Sequence, residues 1–300
     1  MIKTARAFAK INLALRVLGR RPDGYHEIDT LLQTVDLHDR LTFRPAPGGR
    51  LEVACGDPGV PEGAQNLVWK ALDALRREAG RPDLGMAVSL EKGIPTGSGL
   101  GGGSSDAACA LAVGAAVWGL NLAHEDLEAV GARIGSDVPF FIRGGVRRAT
   151  GRGEVLSDVE PIGEETFGLL IPPVRISTGS VYGRFRMSLT ANPVTVSMVP
   201  RFVRAGRAKE LADLLVNDLE SITMELAPEL VHYKDCLRSL GIPIVRMTGS
   251  GSAFYFWPLR AGLVDAAREA LAGSGCRVLE VRTTQQGWIE EEVQRQEDTG

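Results

Sequence analysis

The 300-residue chain has no excess of charge of either sign: 34 lysines and arginines stand against 37 aspartates and glutamates, a formal net charge of -3. A global pull toward nucleic acid or an acidic membrane is therefore excluded, and any anion site must be local. Cysteine is scarce. The four residues Cys55, Cys109, Cys236 and Cys276 are scattered with no CxxC pair, which argues against a cysteine metal cage, and Cys109 lies in an alanine-rich run suited to a buried, reduced thiol. Paired acids with metal-ligand spacing are missing too. No apolar stretch reaches the roughly 20 residues that span a bilayer, and no signal-peptide pattern opens the chain. These absences predict a cytoplasmic protein with no nucleic-acid or membrane partner, large enough for one large or two ordinary domains.

What is abundant is glycine, and it is concentrated. "IPTGSGLGGGSSDAA" at 94–108 places glycines and serines between Pro95 and a run of alanines. Glycine is costly to order, so such a cluster needs a use for bare backbone, and the usual use is a phosphate. Gly97, Gly99 and Gly102 satisfy GxGxxG, but a helix rather than the second strand of a dinucleotide fold follows Trp118. A Walker A loop wants lysine directly before its Ser/Thr, and Gly103 stands there before Ser104. The VAIK and HRD motifs of protein kinases are absent. What remains is a strand, a glycine bed, and Ser104 and Ser105 at a helix N-terminus whose bare N–H groups face an anion. The competing reading is a flexible linker, but linkers do not join a strand to a wholly apolar helix.

Along the chain, "TARAFAKINLALRVL" alternates strictly. Ala5, Ala7, Ala9, Ile11, Leu13, Leu15 and Val17 take one strand face, and Arg6, Phe8, Lys10, Asn12 and Arg16 the other. "RPDG" at 21–24 is a turn and "YHEIDTLLQTVDLHDRLTF" a returning strand, so the opening predicts a hairpin. Gly48 to Gly63 reads as turn-rich. A helix is expected over "NLVWKALDALRREAG", ending at Gly80, then a strand over "MAVSLEKGIP" and an apolar helix from Ser104 to Trp118. Another helix spans about 124–134, followed by a glycine-broken strand pair in "GGVRRATGRGEVL" and a boundary near Ser157 to Glu165. The second half offers the strand "FGLLIPP", helices at about 206–219, 226–239 and 261–272, "IPIVRMTGSGSAFYFWP" and the strand "CRVLEVRT", an α+β pattern. The acidic end "EEEVQRQEDTG" is expected to be frayed.

Here the residues carry a resemblance. "PTGSGLGGGSSDAA" resembles the second motif of the GHMP kinases, the galacto-, homoserine, mevalonate and phosphomevalonate kinases, and "MTGSGSAFYF" at 247–256 resembles their third. The opening "AKINLALRVLGRRPDGYHEIDTLLQTVDLHD" is similar, nearly residue by residue, to one family within them, the 4-diphosphocytidyl-2-C-methyl-D-erythritol kinases of non-mevalonate isoprenoid biosynthesis; "GSDVPFF" at 135–141 and "NDLE" at 217–220 extend the match. The resemblance implies ATP-dependent phosphorylation of the 2-hydroxyl of a cytidine-diphosphate-linked methylerythritol. It also implies a two-domain α+β fold: a ribosomal-S5-domain-2-like α/β unit over 1–160, a ferredoxin-like unit over 161–288, and a charged tail over 289–300, with the active site in the cleft between the two units.

By the same resemblance Asp137 is the catalytic base and Lys10 its partner. From pattern alone, the alternative for Asp137 is a helix or turn cap and that for Lys10 a solvated edge-strand lysine. Lys10 and Asn12, two apart on one strand face, could address one substrate. The resemblance further implies that Tyr25 stacks on cytosine and His26 bonds its edge, with Thr178 and Tyr182 as further substrate contacts. A hairpin-capping tyrosine and a solvated histidine are the plainer alternative for the first pair. For ATP it implies Asn66, Lys92, Pro95, Gly97, Gly99, Leu100, Gly101, Gly102, Gly103, Ser104 and Ser105, with Gly249, Ser250 and Gly251 as a supporting loop or, more simply, a hairpin turn. Ser98 replaces a smaller residue common in the family, Leu32 stands where some members carry an aromatic ring, and Tyr182 where many carry phenylalanine. Asp106 reads as a helix-start residue. Mg²⁺ is expected with ATP, held by phosphates, water and Ser105. Monomer and weak homodimer both remain open. Another small-molecule GHMP kinase would have no reason to keep Tyr25 and His26, and a non-catalytic nucleotide- or RNA-binding protein none to keep Asp137 and Lys10.

Overall fold

The predicted opening hairpin is the longest feature of the chain: β1 (Lys3–Arg20) pairs antiparallel with β2 (His26–Ala46). At its turn Gly24 takes φ +86°, which an L side chain resists, and the Arg21 N–H donates to the Tyr25 carbonyl at 2.8 Å. The computed structural model describes residues 2–186, 196–207, 211–212, 214–257 and 260–291.

Three further elements precede the glycine loop: β3 (Leu51–Cys55), α1 (Leu67–Glu78) and β4 (Gly85–Glu91). The segment read as turn-rich thus contains a strand. β3 runs parallel to β4 at the sheet edge and half-buries only Leu51, Val53 and Cys55, a signal too short to stand out among flanking glycines and prolines. After the loop come α2 (Gly102–Trp118), α3 (His124–Ala132), α4 (Val138–Arg143) and the hairpin β5 (Val146–Gly151) and β6 (Val155–Asp158), which docks on β2. α2 is buried through most of its length because it lies between α1, α4 and β1; a side chain at Gly114 would meet Leu72 at 2.8 Å. Its alanines permit that close approach.

The second half builds a separate four-stranded sheet. β7 (Thr166–Ile171) leads to α5 (Thr178–Arg184) and α6 (Val199–Arg204). The helix expected at about 206–219 lies partly outside the described residues. Next come α7 (Glu220–Leu226) and α8 (Glu229–Ser239), divided at Pro228, which cannot supply an N–H to continue the first helix. β8 (Ile244–Met247), β9 (Phe254–Trp257), α9 (Leu263–Ala270) and β10 (Arg277–Arg282) follow, and the antiparallel order β10-β7-β9-β8 is the ferredoxin-like one.

The chain then returns to the first sheet. Trp288–Glu291 form β11 along β1, with Lys3 paired to Glu290 and Arg40 to Glu291, and Trp288 against the core under α2. This corrects the expectation of a frayed acidic end for Glu290 and Glu291; residues 292–300 lie outside the described residues. Between the sheets, Ala9, Ile11 and Leu13 of β1 pack with Phe167, Leu169 and Tyr255, and the Tyr255 hydroxyl donates to the Leu13 carbonyl at 2.8 Å. Ala5 and Ala7, before a register shift at Phe8/Ala9, join the core of α2 instead. β1 is therefore buried on both faces through its middle, and its polar pair Lys10 and Asn12 ends up at the seam between the two halves.

Candidate active site

A cleft of about 980 Å³ opens at that seam. Lys10 and Asn12 of β1 are only 4% and 5% exposed, side by side as their spacing predicts, with Lys10 Nζ donating to Asn12 Oδ1. Asn12 is held from three sides. Its amide donates to Thr30 Oγ1 at 2.9 Å, its backbone N–H donates to Thr248 Oγ1 at 2.8 Å, and the Thr248 hydroxyl donates to its Oδ1 at 3.4 Å. Lys10 Nζ lies 3.9 Å from Asp137 Oδ2. Asp137 directly precedes α4 yet makes no capping hydrogen bond, so its carboxylate faces the lysine and the cleft. Burial pushes the Lys10 ammonium below its ordinary value, and the Asp137 charge pulls against that shift.

One wall is the glycine loop. Pro95, Gly97, Gly99, Leu100, Gly101, Gly102, Gly103 and Ser104 all line the cleft. Two of these positions admit no side chain: at Gly99 (φ +83°) a Cβ would sit 2.5 Å from the Thr248 carbonyl, and at Gly101 (φ +76°) 2.8 Å from the Phe141 ring. The loop is anchored from below by Asp39, fully buried, whose Oδ1 accepts the Gly93 and Ile94 N–H groups at 2.7 and 2.8 Å. Lys92 bridges Asp39 to Asp106 of α2, reaching Asp106 Oδ2 at 2.8 Å. Burial opposes the Lys92 charge, but the two carboxylates outweigh it and raise its pKa, while burial drives that of Asp106 well up. Asp106 is thus a buried ion-pair partner rather than a residue placed only by the helix dipole. Ser98 fits as a small hydroxyl donating to the Pro95 carbonyl at 2.7 Å.

Two expected nucleotide contacts are placed differently. Asn66, buried, caps α1: its Oδ1 accepts the Val68 N–H at 2.8 Å and its amide donates to the Pro61 carbonyl at 2.9 Å. Ser105 is fully buried and donates its hydroxyl to the Phe8 carbonyl at 2.6 Å, so it joins α2 to β1 and does not reach the cleft. In both cases a local backbone demand has taken the polar side chain.

The third motif forms the roof, at the turn between β8 and β9. A Cβ on Gly249 (φ +58°) would lie 3.2 Å from the Gly99 carbonyl and 3.3 Å from both Asn12 Oδ1 and Lys10 Nζ, so the turn closes on both motifs. Ser250 pairs its hydroxyl with that of Thr178 at 2.8 Å; Gly251 (φ +87°) packs against Met247 and Thr223 behind the turn. Asn217 holds this turn, its amide donating to the Met247 and Gly249 carbonyls, both at 2.8 Å.

At the far end, Tyr25 is 57% exposed, with the Arg152 guanidinium 4.9 Å from its ring centroid. His26 sits between Tyr182 and Phe185, with ring centroids at 5.2 and 5.9 Å. Burial, then the Arg20 charge, lowers the His26 pKa, which favours the neutral ring. Burial, reinforced by Asp137, raises the Tyr182 phenol and keeps it protonated. Leu32 lies in the core away from these rings. Sequence reasoning missed Arg152, Phe185, Thr30, Thr248 and the anchoring roles of Asp39 and Asn217. The last two fall inside the quoted "LHD" and "NDLE" segments, but their partners lie far away along the chain.

Residues 66–145 match the GHMP kinases N terminal domain and residues 199–276 the GHMP kinases C terminal domain. The 4-diphosphocytidyl-2-C-methyl-D-erythritol kinase of Pelotomaculum thermopropionicum is 40% identical over 272 residues, covering 91% of this chain and 93% of that one. A crystal structure of 4-(cytidine 5'-diphospho)-2C-methyl-D-erythritol kinase superposes with a TM-score of 0.78 at 35% identity over 93% of this chain and 98% of that one. Homoserine kinase from Cytophaga hutchinsonii superposes nearly as well, with a TM-score of 0.76 at 16% identity over 97% of both chains, which shows the shared fold alone. The chain belongs to the GHMP kinases and, within them, to the 4-diphosphocytidyl-2-C-methyl-D-erythritol kinases.

Proposed function

We propose that this ATP-dependent small-molecule kinase of isoprenoid precursor biosynthesis transfers the γ-phosphoryl group of ATP to the 2-hydroxyl of 4-diphosphocytidyl-2-C-methyl-D-erythritol, with Lys10 and Asp137 as its catalytic pair. The observation that carries the reading is their placement, 3.9 Å apart between the glycine loop and the aromatic end of the cleft. The substrate hydroxyl oxygen attacks the γ-phosphorus, its proton passes to Asp137 Oδ2, and the bond to the β,γ-bridging oxygen breaks to release ADP. Phosphoryl transfer is loose, so positioning and charge neutralisation do most of the work. Lys10 supplies positive charge to the transferring group from beside Asp137, and Asn12 fixes the Lys10 ammonium.

In this proposal the backbone N–H groups of Gly101 to Ser104 receive the phosphates at the start of α2. Tyr25, His26, Thr178 and Tyr182 hold the cytidine end, with Arg152 and Phe185 added to them. Gly249 and Ser250 close the cleft over the reacting groups. Lys92 acts through the loop it anchors. The described residues hold no cluster of three or more His, Cys, Asp or Glu suited to a metal, and the Ser105 hydroxyl is committed to Phe8. Mg²⁺ therefore enters as part of Mg-ATP, held by phosphate and water, rather than in a cage of protein ligands. We retain 1–160 and 161–288 as the two units, with Trp288–Glu291 docked back on the first, and a cytoplasmic monomer or weak homodimer; no helix among the described residues is long and apolar enough to cross a membrane.

The test is ATP consumption by the purified chain with the cytidine substrate, mevalonate and homoserine in parallel. Turnover confined to the cytidine substrate is expected. Comparable turnover of mevalonate or homoserine would overturn the assignment.

A further inference from the structure

Behind the glycine loop lies a second cavity, of about 380 Å³, separated from the main cleft by the segment from Lys92 to Ser98. Its other walls come from the second half of the chain: Pro172 to Arg175 after β7, and Gly275 and Arg277 at the start of β10. The two arginines set its character. Among the described residues neither Arg175 nor Arg277 makes an ion pair or a side-chain hydrogen bond, although both face a common space. Arg175 runs along the loop with its side chain beside Gly97, and its guanidinium reaches toward Gly59 and Thr96.

The remaining polar groups are accounted for. Lys92 is neutralised by Asp39 and Asp106. Asp57 is the carboxylate that lines the cavity, and its Oδ1 accepts the Gly59 N–H at 2.8 Å within its own turn. Thr96 is the exception: its hydroxyl oxygen is buried and has no hydrogen-bond partner. Buried hydroxyls are rarely left unpaired, so an orphaned one beside two unpaired guanidinium groups calls for an oxygen-rich acceptor. Ile94, Ile171, Pro172 and Pro173 make the rest of the lining apolar.

We propose that this cavity is a second binding site, distinct from the catalytic cleft, for a small organic phosphate whose phosphoryl group is held by Arg175, Arg277 and Thr96 and whose carbon body rests on the isoleucines and prolines. The volume suits a ligand of a few carbons and one phosphate and sits at the low end for small-molecule sites. The planar guanidinium fork matches phosphate oxygens in a way a lysine pair would not.

The experiment is isothermal titration of inorganic phosphate and of butyl phosphate into the full chain preloaded with a non-hydrolysable ATP analogue and cytidine diphosphate, which together occupy both ends of the main cleft. Wild type is expected to bind one equivalent of butyl phosphate at least ten-fold more tightly than inorganic phosphate. The Arg175→Gln/Arg277→Gln variant is expected to lose butyl phosphate binding while keeping its affinity for the ATP analogue; both side chains are exposed and unpaired, so the fold should persist, as thermal unfolding will check. Equal affinities for the two probes in wild type would overturn the organic ligand. Absence of binding to the preloaded wild type, or unchanged binding in the double variant, would overturn the site. Failure of the ATP analogue itself to bind would count against the proposed function of the main cleft instead.

Discussion

Asn217→Asp is the sharpest test of how the roof of the cleft is held. The amide of Asn217 donates to the Met247 and Gly249 carbonyls, both at 2.8 Å, while its Oδ1 accepts the Leu219 N–H at 3.0 Å. Aspartate keeps the shape and the acceptor for Leu219, so the start of α7 is preserved. The backbone flanking the site stays tied to β1 through the Leu15 N–H to Val216 and the Asp218 N–H to Leu15. Only the two donors are removed, and a carboxylate oxygen is turned toward two carbonyl oxygens. At about 0.5–1.5 kcal/mol per lost bond, with more for the unpaired carbonyls, the loss is roughly 2–4 kcal/mol. For a chain of this size that corresponds to a fall in Tm of roughly 3–6 °C. Because Gly249 packs against Gly99, Asn12 and Lys10, displacement of the turn should also lower kcat, even though Asn217 is not among the residues lining the cleft. Differential scanning calorimetry and steady-state kinetics read the two effects. An unchanged Tm together with an unchanged kcat would refute the reasoning that this side chain holds the turn.

Asp137→Asn should lower turnover by roughly two to four orders of magnitude with ATP affinity nearly intact, as for loss of a general base; near-normal turnover removes Asp137 from the mechanism. Because burial lowers the Lys10 pKa from an ordinary value of 10.5, its positive charge is lost as pH rises through that lowered value. The alkaline limb of kcat should therefore lie below pH 10.5, and Asp137→Asn, which removes the opposing charge, should shift the Lys10 titration, followed by NMR, further toward acid. A limb at or above the ordinary lysine value would contradict this. Tyr25→Ala should raise KM for the cytidine substrate by roughly ten- to a hundred-fold, the worth of about 1–3 kcal/mol of base stacking, with KM for ATP little changed. A uridine analogue should be disfavoured comparably, since its acceptor replaces the cytosine amino donor; equal use of both bases with a silent Tyr25→Ala would return Tyr25 and His26 to hairpin structure.

Much of this site is visible along the chain because its parts are local. A glycine bed between a strand and an apolar helix, Lys10 and Asn12 two residues apart, and Tyr25 beside a Gly24 turn are contiguous patterns whose geometry follows from backbone period and φ. The hairpin, the helices on either side of the loop and the α+β second half follow from the same periodicities. β3 escaped because a five-residue edge strand buries too little on one face to leave a period.

Residue type and spacing in the sequence by themselves determined the glycine loop between a strand and an apolar helix and the polar pair on β1, and the resemblance of its motifs pointed to the kinase family. Only the tertiary structure decided which polar groups remain available. Asn66 and Ser105 carry the right chemistry in the right motif, yet backbone groups at Val68, Pro61 and Phe8 take their side chains first. Asp39 and Asn217 look like ordinary strand and loop residues, yet they hold loops 54 and 32 residues away. Residues 289–291 read as the start of a charged tail, yet β1 offered an unpaired edge, and Lys3 and Arg40 basic partners, that drew them into the first sheet. The physical reason is the same in each case: a hydrogen-bonding group serves whichever partner folding brings within about 3 Å, and that partner is set by the packing of distant segments.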